Sequence, residues 1–137
     1  AYFGEKDFQQ IAVIKAMVKQ LSIDVDIVEC AIVRGEDGLA LSSRNELLSP
    51  EHRKAAPHIY ASISQCAEKM KTMSPAELTE WVVKEIDSNP LLKTIYFEAV
   101  DALTMQRVDS WEDAEHVQGC CAVQAGEIRL IDNIRIK

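Results

Sequence analysis

Two short segments of this 137-residue chain hold the side chains best suited to chemistry on a phosphorylated ligand. The first is Gly4-Glu5-Lys6-Asp7-Phe8-Gln9-Gln10, where an apolar opening passes into a helix-period pattern. At a strand-to-helix turn the first helical N–H groups lack intrahelical partners, and the positive end of the dipole attracts anions. Gly4 admits close approach to the backbone, and Lys6 adds a cation. The same residues also read as a plain helix start, with Asp7 as cap, Gln10 completing a capping box and Lys6 solvated. The second segment runs from Arg34 to Asn45 and includes Gly35, Gly38 and the run Leu41-Ser42-Ser43-Arg44. Serine hydroxyls donate to phosphate oxygens, and a guanidinium forms charge-assisted, often bidentate bonds. Between glycine hinges this suits a lid, although an ordinary flexible loop has the same composition. Neither segment contains a Walker A run or a Gly-x-Gly-x-x-Gly cradle.

The surrounding pattern shows what must position these residues. Ala1-Tyr2-Phe3 reads as the end of a strand that begins upstream. Phe8, Ile11, Ile14, Met17, Val18 and Leu21 recur at helical spacing, and Val28 to Val33 is nearly all apolar, as in a strand buried on both faces. Strand, helix, strand is a βαβ unit, and the rest of its parallel sheet is expected outside this chain. Residues 34–48 break every periodicity and read as a mobile polar loop. Ser49-Pro50 opens a helix expected to reach about Lys71 with a break at Pro57. Ser74-Pro75-Ala76-Glu77 opens another, with Leu78, Trp81, Val82 and Ile86 on its buried side. Thr94 to Val100 alternates as a strand, and Cys120 to Val123 with Ile128 to Ile131 forms a hairpin around Ala125-Gly126. The stretch between Asp101 and Gly119 reads as loop with a short strand near Met105. The expected architecture is α/β: a βαβ fragment of a parallel sheet with its glycine-bracketed loop over 1–48, then a small α+β lobe with an antiparallel sheet over 49–137.

Composition narrows the function. The chain is 47% hydrophobic and 27% charged, which is globular. A net charge of −7 without a basic stripe makes nucleic acid a poor partner, while a small anion remains compatible with a few local cations. No apolar run is long enough for a membrane span. No signal peptide is visible, which together with the four cysteines points to the cytoplasm. Cys30, Cys66, Cys120 and Cys121 form no Cys-x-x-Cys pair and are expected as reduced thiols packed like small hydrophobes. His52, His58 and His116 form no i, i+4 pair, so no zinc or other protein-bound metal is expected.

Phe3-Gly4-Glu5-Lys6-Asp7-Phe8-Gln9-Gln10 is similar to the signature of pantothenate synthetases. Asp37-Gly38-Leu39-Ala40-Leu41-Ser42-Ser43-Arg44-Asn45 resembles that family's flexible phosphate-binding loop, and Arg129-Leu130-Ile131-Asp132-Asn133 matches its tail. The resemblance covers essentially the whole chain and implies that 1–48 is the βαβ remnant of a Rossmann-like nucleotidyltransferase domain, ending the nucleotide-binding domain, and 49–137 its small α+β lid domain. It implies an AMP-forming ligase that joins D-pantoate to β-alanine through pantoyl adenylate, using ATP with Mg2+ as the substrate complex. It also implies that Gly4, Glu5, Lys6 and Asp7 border the nucleotide, with Lys6 on the phosphates and Asp7 near the ribose. Gln10 would bind pantoate and the Val33 backbone would face adenine. Leu41, Ser42, Ser43 and Arg44 would close over the phosphates, leaving Lys6, Ser42, Ser43 and Arg44 as the catalytic set. Two departures stand out. Ala31 replaces a proline common in the family, and Leu41 a methionine.

The family's other signature, His-x-Gly-His, is absent. The resemblance therefore implies a C-terminal part of the enzyme, whose partners are the missing N-terminal domain and, when intact, a second copy in a homodimer. Little or no synthetase activity is expected of this part alone. The alternative reading is a non-catalytic interaction module, because an incomplete parallel sheet exposes an edge that can pair with another chain.

Overall fold

The computed structural model describes all 137 residues. Strand β1 (Tyr2–Gly4) runs through a 3-10 turn, Glu5–Asp7, into helix α1 (Phe8–Gln20) and returns to strand β2 (Val28–Cys30). The two strands pair in parallel, Tyr2 opposite Val28 and Gly4 opposite Cys30, so the βαβ unit is present. Three short helices follow, α2 (Pro50–Ala55), α3 (His58–Ile63) and α4 (Cys66–Lys69), then the longer α5 (Pro75–Asp87). Strands β3 (Leu92–Asp101), β4 (Val117–Ala125) and β5 (Ile128–Arg135) form an antiparallel sheet in sequential order.

The core belongs to this second part. Ile59, Ile63 and Cys66 from the short helices meet Leu78, Val82 and Ile86 of α5 over Phe97, Val117, Cys121 and Val123 of the sheet. Strand β4 is covered on both faces, which is why adjacent Cys120 and Cys121 are both buried. Burial pushes the Cys66 and Cys120 thiols up to about 12, and Cys121 up as well, so none is a thiolate nucleophile at neutral pH. Helix α5 starts as its sequence predicts. The Ser74 hydroxyl accepts from the Glu77 N–H, the Glu77 carboxylate accepts from the Ser74 N–H, and Pro75 occupies the first turn. Ser74→Ala is expected to cost about 1 kcal/mol in a denaturant titration, the usual worth of such a cap.

Several expectations are corrected. The helix foreseen from Ser49 to Lys71 breaks at Pro57, as expected, but breaks a second time at Ser64-Gln65. The Ser64 hydroxyl and the Gln65 amide both donate to the Ala61 carbonyl, which the next helical turn would otherwise use. Strand β2 is three residues long and exposed rather than buried on both faces, and the apolar stripe of α1 is incompletely covered: Ile11 is buried, Phe8, Ile14 and Val18 are half-buried, and Met17 and Leu21 are exposed. Cys30 on β2 is likewise exposed, unlike the other three cysteines. Asp7 and Gln10 do not form a capping box, because the 3-10 turn leads straight into α1 and Asp7 lacks the extended backbone of a cap. Met105 itself has φ of 60° in a turn closed by its N–H to the Asp101 carbonyl, and the short strand foreseen near it is reduced to a single antiparallel bridge between Arg107 and Val100. A register shift between Thr94 and Tyr96 lifts Ile95 out of the alternation of β3, leaving it exposed beside buried Phe97 and Ala99.

Candidate functional site

The antiparallel sheet has two faces. Leu130 and Asp132 of β5 point toward the helices, while Arg129, Ile131 and Asn133 alternate onto the other face. That outer face, with Tyr96 and Cys120 from the neighbouring strands, is the floor of a cleft walled by the turn leading into α1. One cavity of about 270 Å³ lies between Lys6, Asp7, Gln10, Arg44, Tyr96 and Arg129. A second of about 230 Å³ adjoins it and is lined by Lys6, Asp7, Ser42, Ser43, Arg44 and Arg129. Lys6, Asp7, Arg44 and Arg129 line both, so the two are one cleft from the turn to the serine pair.

The turn is held from below. Asn133, 3% exposed, donates its amide to the carbonyls of Glu5 at 2.8 Å and Lys6 at 3.1 Å, and accepts from the Gln118 amide at 2.7 Å. The loop beyond β2 is held by the neighbouring residue. Both Asp132 oxygens accept from the Arg34 guanidinium, at 2.7 and 2.8 Å, and one also accepts from the Asn133 N–H. Arg34 lies over the Tyr60 ring, 3.8 Å from its centre, and donates to the Gly38 carbonyl. Thus two successive residues of β5 grip two segments that lie far apart in the sequence.

The loop expected to be irregular is a folded strap. Gly35 N–H bonds to the Leu39 carbonyl, Leu41 N–H to Val33, and Gly38 takes φ of 87° beneath the Tyr60 ring, where a Cβ would lie 2.6 Å from a ring carbon. Leu39 is buried in the core of the second part, and Arg53 bonds Asp37, holding that carboxyl below the usual range. Residues Ser43–Leu47 form a 3-10 turn whose N-terminus is capped by the Ser42 hydroxyl accepting from Arg44 N–H. Arg44 donates to the Arg129 carbonyl at 3.1 Å, which carries the strap onto the edge of β5.

The structure brings together Lys6, Asp7, Gln10, Ser42, Ser43 and Arg44. Val33 and Leu41 line neither cavity and are 66% and 54% exposed. Gly4 lies just behind the turn with no atom within 4 Å of where a Cβ would stand, and Glu5 lies on the far side of Asn133 in a separate hollow with Arg34. Residue-level reading missed Arg129, Asn133 and Tyr96 as cleft residues. The available signal was the alternation of β5, which places Arg129 and Asn133 on one face.

Fold and cleft define a mixed α/β protein with a cation-lined cleft between a parallel pair of strands and a small antiparallel sheet. The profile of the Pantoate-beta-alanine ligase family matches residues 1–135. A pantothenate synthetase of Porphyromonas gingivalis is 50% identical over 135 residues, covering 98% of this chain and 48% of its own length. One from Bacteroides fragilis is 48% identical over 137 residues, covering 100% and 49% respectively. The crystal structure of pantothenate synthetase from Thermus thermophilus superposes with a TM-score of 0.91 at 39% identity, over 99% of this chain and 49% of that one. That of the Francisella tularensis pantoate-beta-alanine ligase, complexed with beta-gamma ATP and beta-alanine, gives 0.67 at 30% identity over 98% and 42%. The chain belongs to the Pantoate-beta-alanine ligase family, as its two motifs implied. It spans about half the length of the curated relatives it matches.

Proposed function

We propose that this chain forms the phosphate-side wall and lid of an ATP-dependent ligase that condenses D-pantoate with β-alanine. The reading rests on one observation: Lys6 and the Ser42-Ser43-Arg44 run, from separate segments, line a single cleft beside a helix start. In the proposed reaction the pantoate carboxylate attacks the α-phosphorus of ATP, and the bond to the bridging oxygen breaks with its electron pair leaving on pyrophosphate. β-Alanine then displaces AMP from the acyl adenylate. Negative charge grows on pyrophosphate in the first step, and preorganised cations aimed there stabilise the transition state. In this reading Lys6, Ser42, Ser43 and Arg44 supply that stabilisation, Gly4 and Glu5 back the turn, and Asp7 reaches the ribose. Val33 and Leu41 flank adenine once ATP is seated. Gln10, which does not titrate, positions pantoate. Magnesium arrives with the phosphates of ATP. The divided chain, 1–48 ending the nucleotide-binding domain and 49–137 forming the lid, is joined by the strap through buried Leu39.

Tyr2, Val13, Leu21, Val28 and Val33 leave apolar area exposed on the βαβ unit. We assign that surface to the other half of the relatives' length, which would supply the rest of the sheet, the His-x-Gly-His wall and the remaining substrate contacts. The intact enzyme is proposed to be a cytoplasmic homodimer, and this half alone is expected to be inactive. The same exposed surface favours a second reading, an interaction module that binds no nucleotide. Amide chemical-shift mapping with ATP and magnesium separates the two. Shifts clustered at Gly4–Asp7 and Ser42–Arg44 are expected, and no response at either segment refutes the ligase reading. Pantothenate formation by the isolated chain at full-enzyme rates would refute the expected inactivity.

A further inference from the structure

We infer that Arg129 is a further catalytic residue, a cation that binds the pyrophosphate portion of ATP and stabilises it as it leaves. The inference rests on the proposed ligase reading and adds to it a residue from the opposite end of the chain. Arg129 stands on the outer face of β5 and lines both cavities of the cleft with Lys6 and Arg44. None of these three cations has a carboxylate within ion-pair distance, although the chain carries 22 acidic residues against 15 basic ones. The other arginines are engaged: Arg34 with Asp132, Arg53 with Asp37, Arg107 with Glu98, and Arg135 with His116 and the Lys137 carbonyl. Asp132, the acid nearest along the strand, is occupied on both oxygens by Arg34. Asp7 also lines both cavities but makes no ion pair with the three cations, so positive charge is in excess in the cleft and favours a multiply charged anion.

The backbone makes the arrangement specific. The Arg129 carbonyl accepts from the Arg44 guanidinium, so the residue that anchors the strap also offers its own side chain to the same space. A strand paired along its length holds that side chain with less reorganisation than a loop does. As the bond from the α-phosphorus to the bridging oxygen breaks, its electron pair passes to pyrophosphate. A planar guanidinium can then bind two of that product's oxygens at once. No proton changes hands in this step.

Arg129→Ala and Arg129→Lys in the intact ligase test the assignment by ATP–pyrophosphate exchange in the presence of pantoate. Arg129→Ala leaves the backbone carbonyl that holds Arg44, so it reports on the side chain alone. Exchange is expected to fall by about 100-fold, the scale for losing one preorganised donor, with KM for pantoate and thermal stability little changed. The lysine variant should recover about tenfold, keeping charge without the fork. In parallel, inorganic pyrophosphate titrated into the 137-residue chain should bind more weakly to Arg129→Ala than to wild type. If Arg129→Ala exchanges within twofold of wild type while Lys6→Ala is impaired, the Arg129 assignment is overturned and the ligase reading stands. If the wild-type intact protein supports no exchange at all, the ligase reading fails and takes the assignment with it.

Discussion

Asp132→Ala is expected to lower the stability of this chain by about 3 kcal/mol, read as a drop in the urea midpoint at unchanged slope. Asp132 is 5% exposed, and the side chain of Arg34 is 16% exposed. Deleting the carboxylate leaves a guanidinium out of water with only the Gly38 carbonyl, a 3.5 Å contact to the Asn133 carbonyl and the Tyr60 ring. An unpaired buried charge is costly, whereas a buried pair exchanged for apolar residues of similar volume is often nearly neutral. Arg34→Met combined with Asp132→Leu should therefore lose much less than Asp132→Ala alone. The distinction matters because exposed pairs such as Lys71 with Glu68 contribute little. A single-mutant loss under 1 kcal/mol would show that the pair behaves like one of those and does not anchor the strap.

That pair also marks where the sequence stops being readable. The start of α5 was legible because everything it needs lies within four residues: the Ser74 cap, Pro75 and Glu77. The hairpin was legible for the same reason, its two-residue turn being Gly126 with φ of 63° followed by Glu127. The folded state of the strap was not, because its order comes from Asp132, 98 residues away, and from a ring stacked above Gly38. The apolar run from Val28 to Val33 foretold burial that the structure does not show. Such a pattern records what a strand packs against, and this chain contains no element covering that face. In the cleft, the two segments read from the sequence do converge. The sheet beneath them was invisible, since Arg129 and Asn133 look like ordinary polar positions of an alternating strand until Lys6 and Arg44 are seen above them.

If the proposed ligase reading holds, Lys6→Ala in the intact protein is expected to slow ATP–pyrophosphate exchange by about 100- to 1000-fold, equivalent to about 2.7–4 kcal/mol of transition-state stabilisation. The charge matters only where the turn holds it, and the turn is held by Asn133 through the carbonyls of Glu5 and Lys6. Asn133→Ala keeps the lysine but removes its support, stranding those two carbonyls at a cost of about 1–3 kcal/mol in stability. Exchange by Asn133→Ala should fall by about tenfold, because a displaced cation stabilises the leaving pyrophosphate less well. The two effects should not add. Once Lys6 is alanine, misplacing its backbone loses no further charge, so the double variant should exchange at nearly the rate of Lys6→Ala alone. Residues in one network show such coupling, while independent sites give additive losses. A double variant slower than Lys6→Ala by the full factor seen for Asn133→Ala would mean that Asn133 acts on the cleft by another route. A merely structural Asn133 would also lower thermal stability without changing the rate per folded molecule, which active-site titration measures directly.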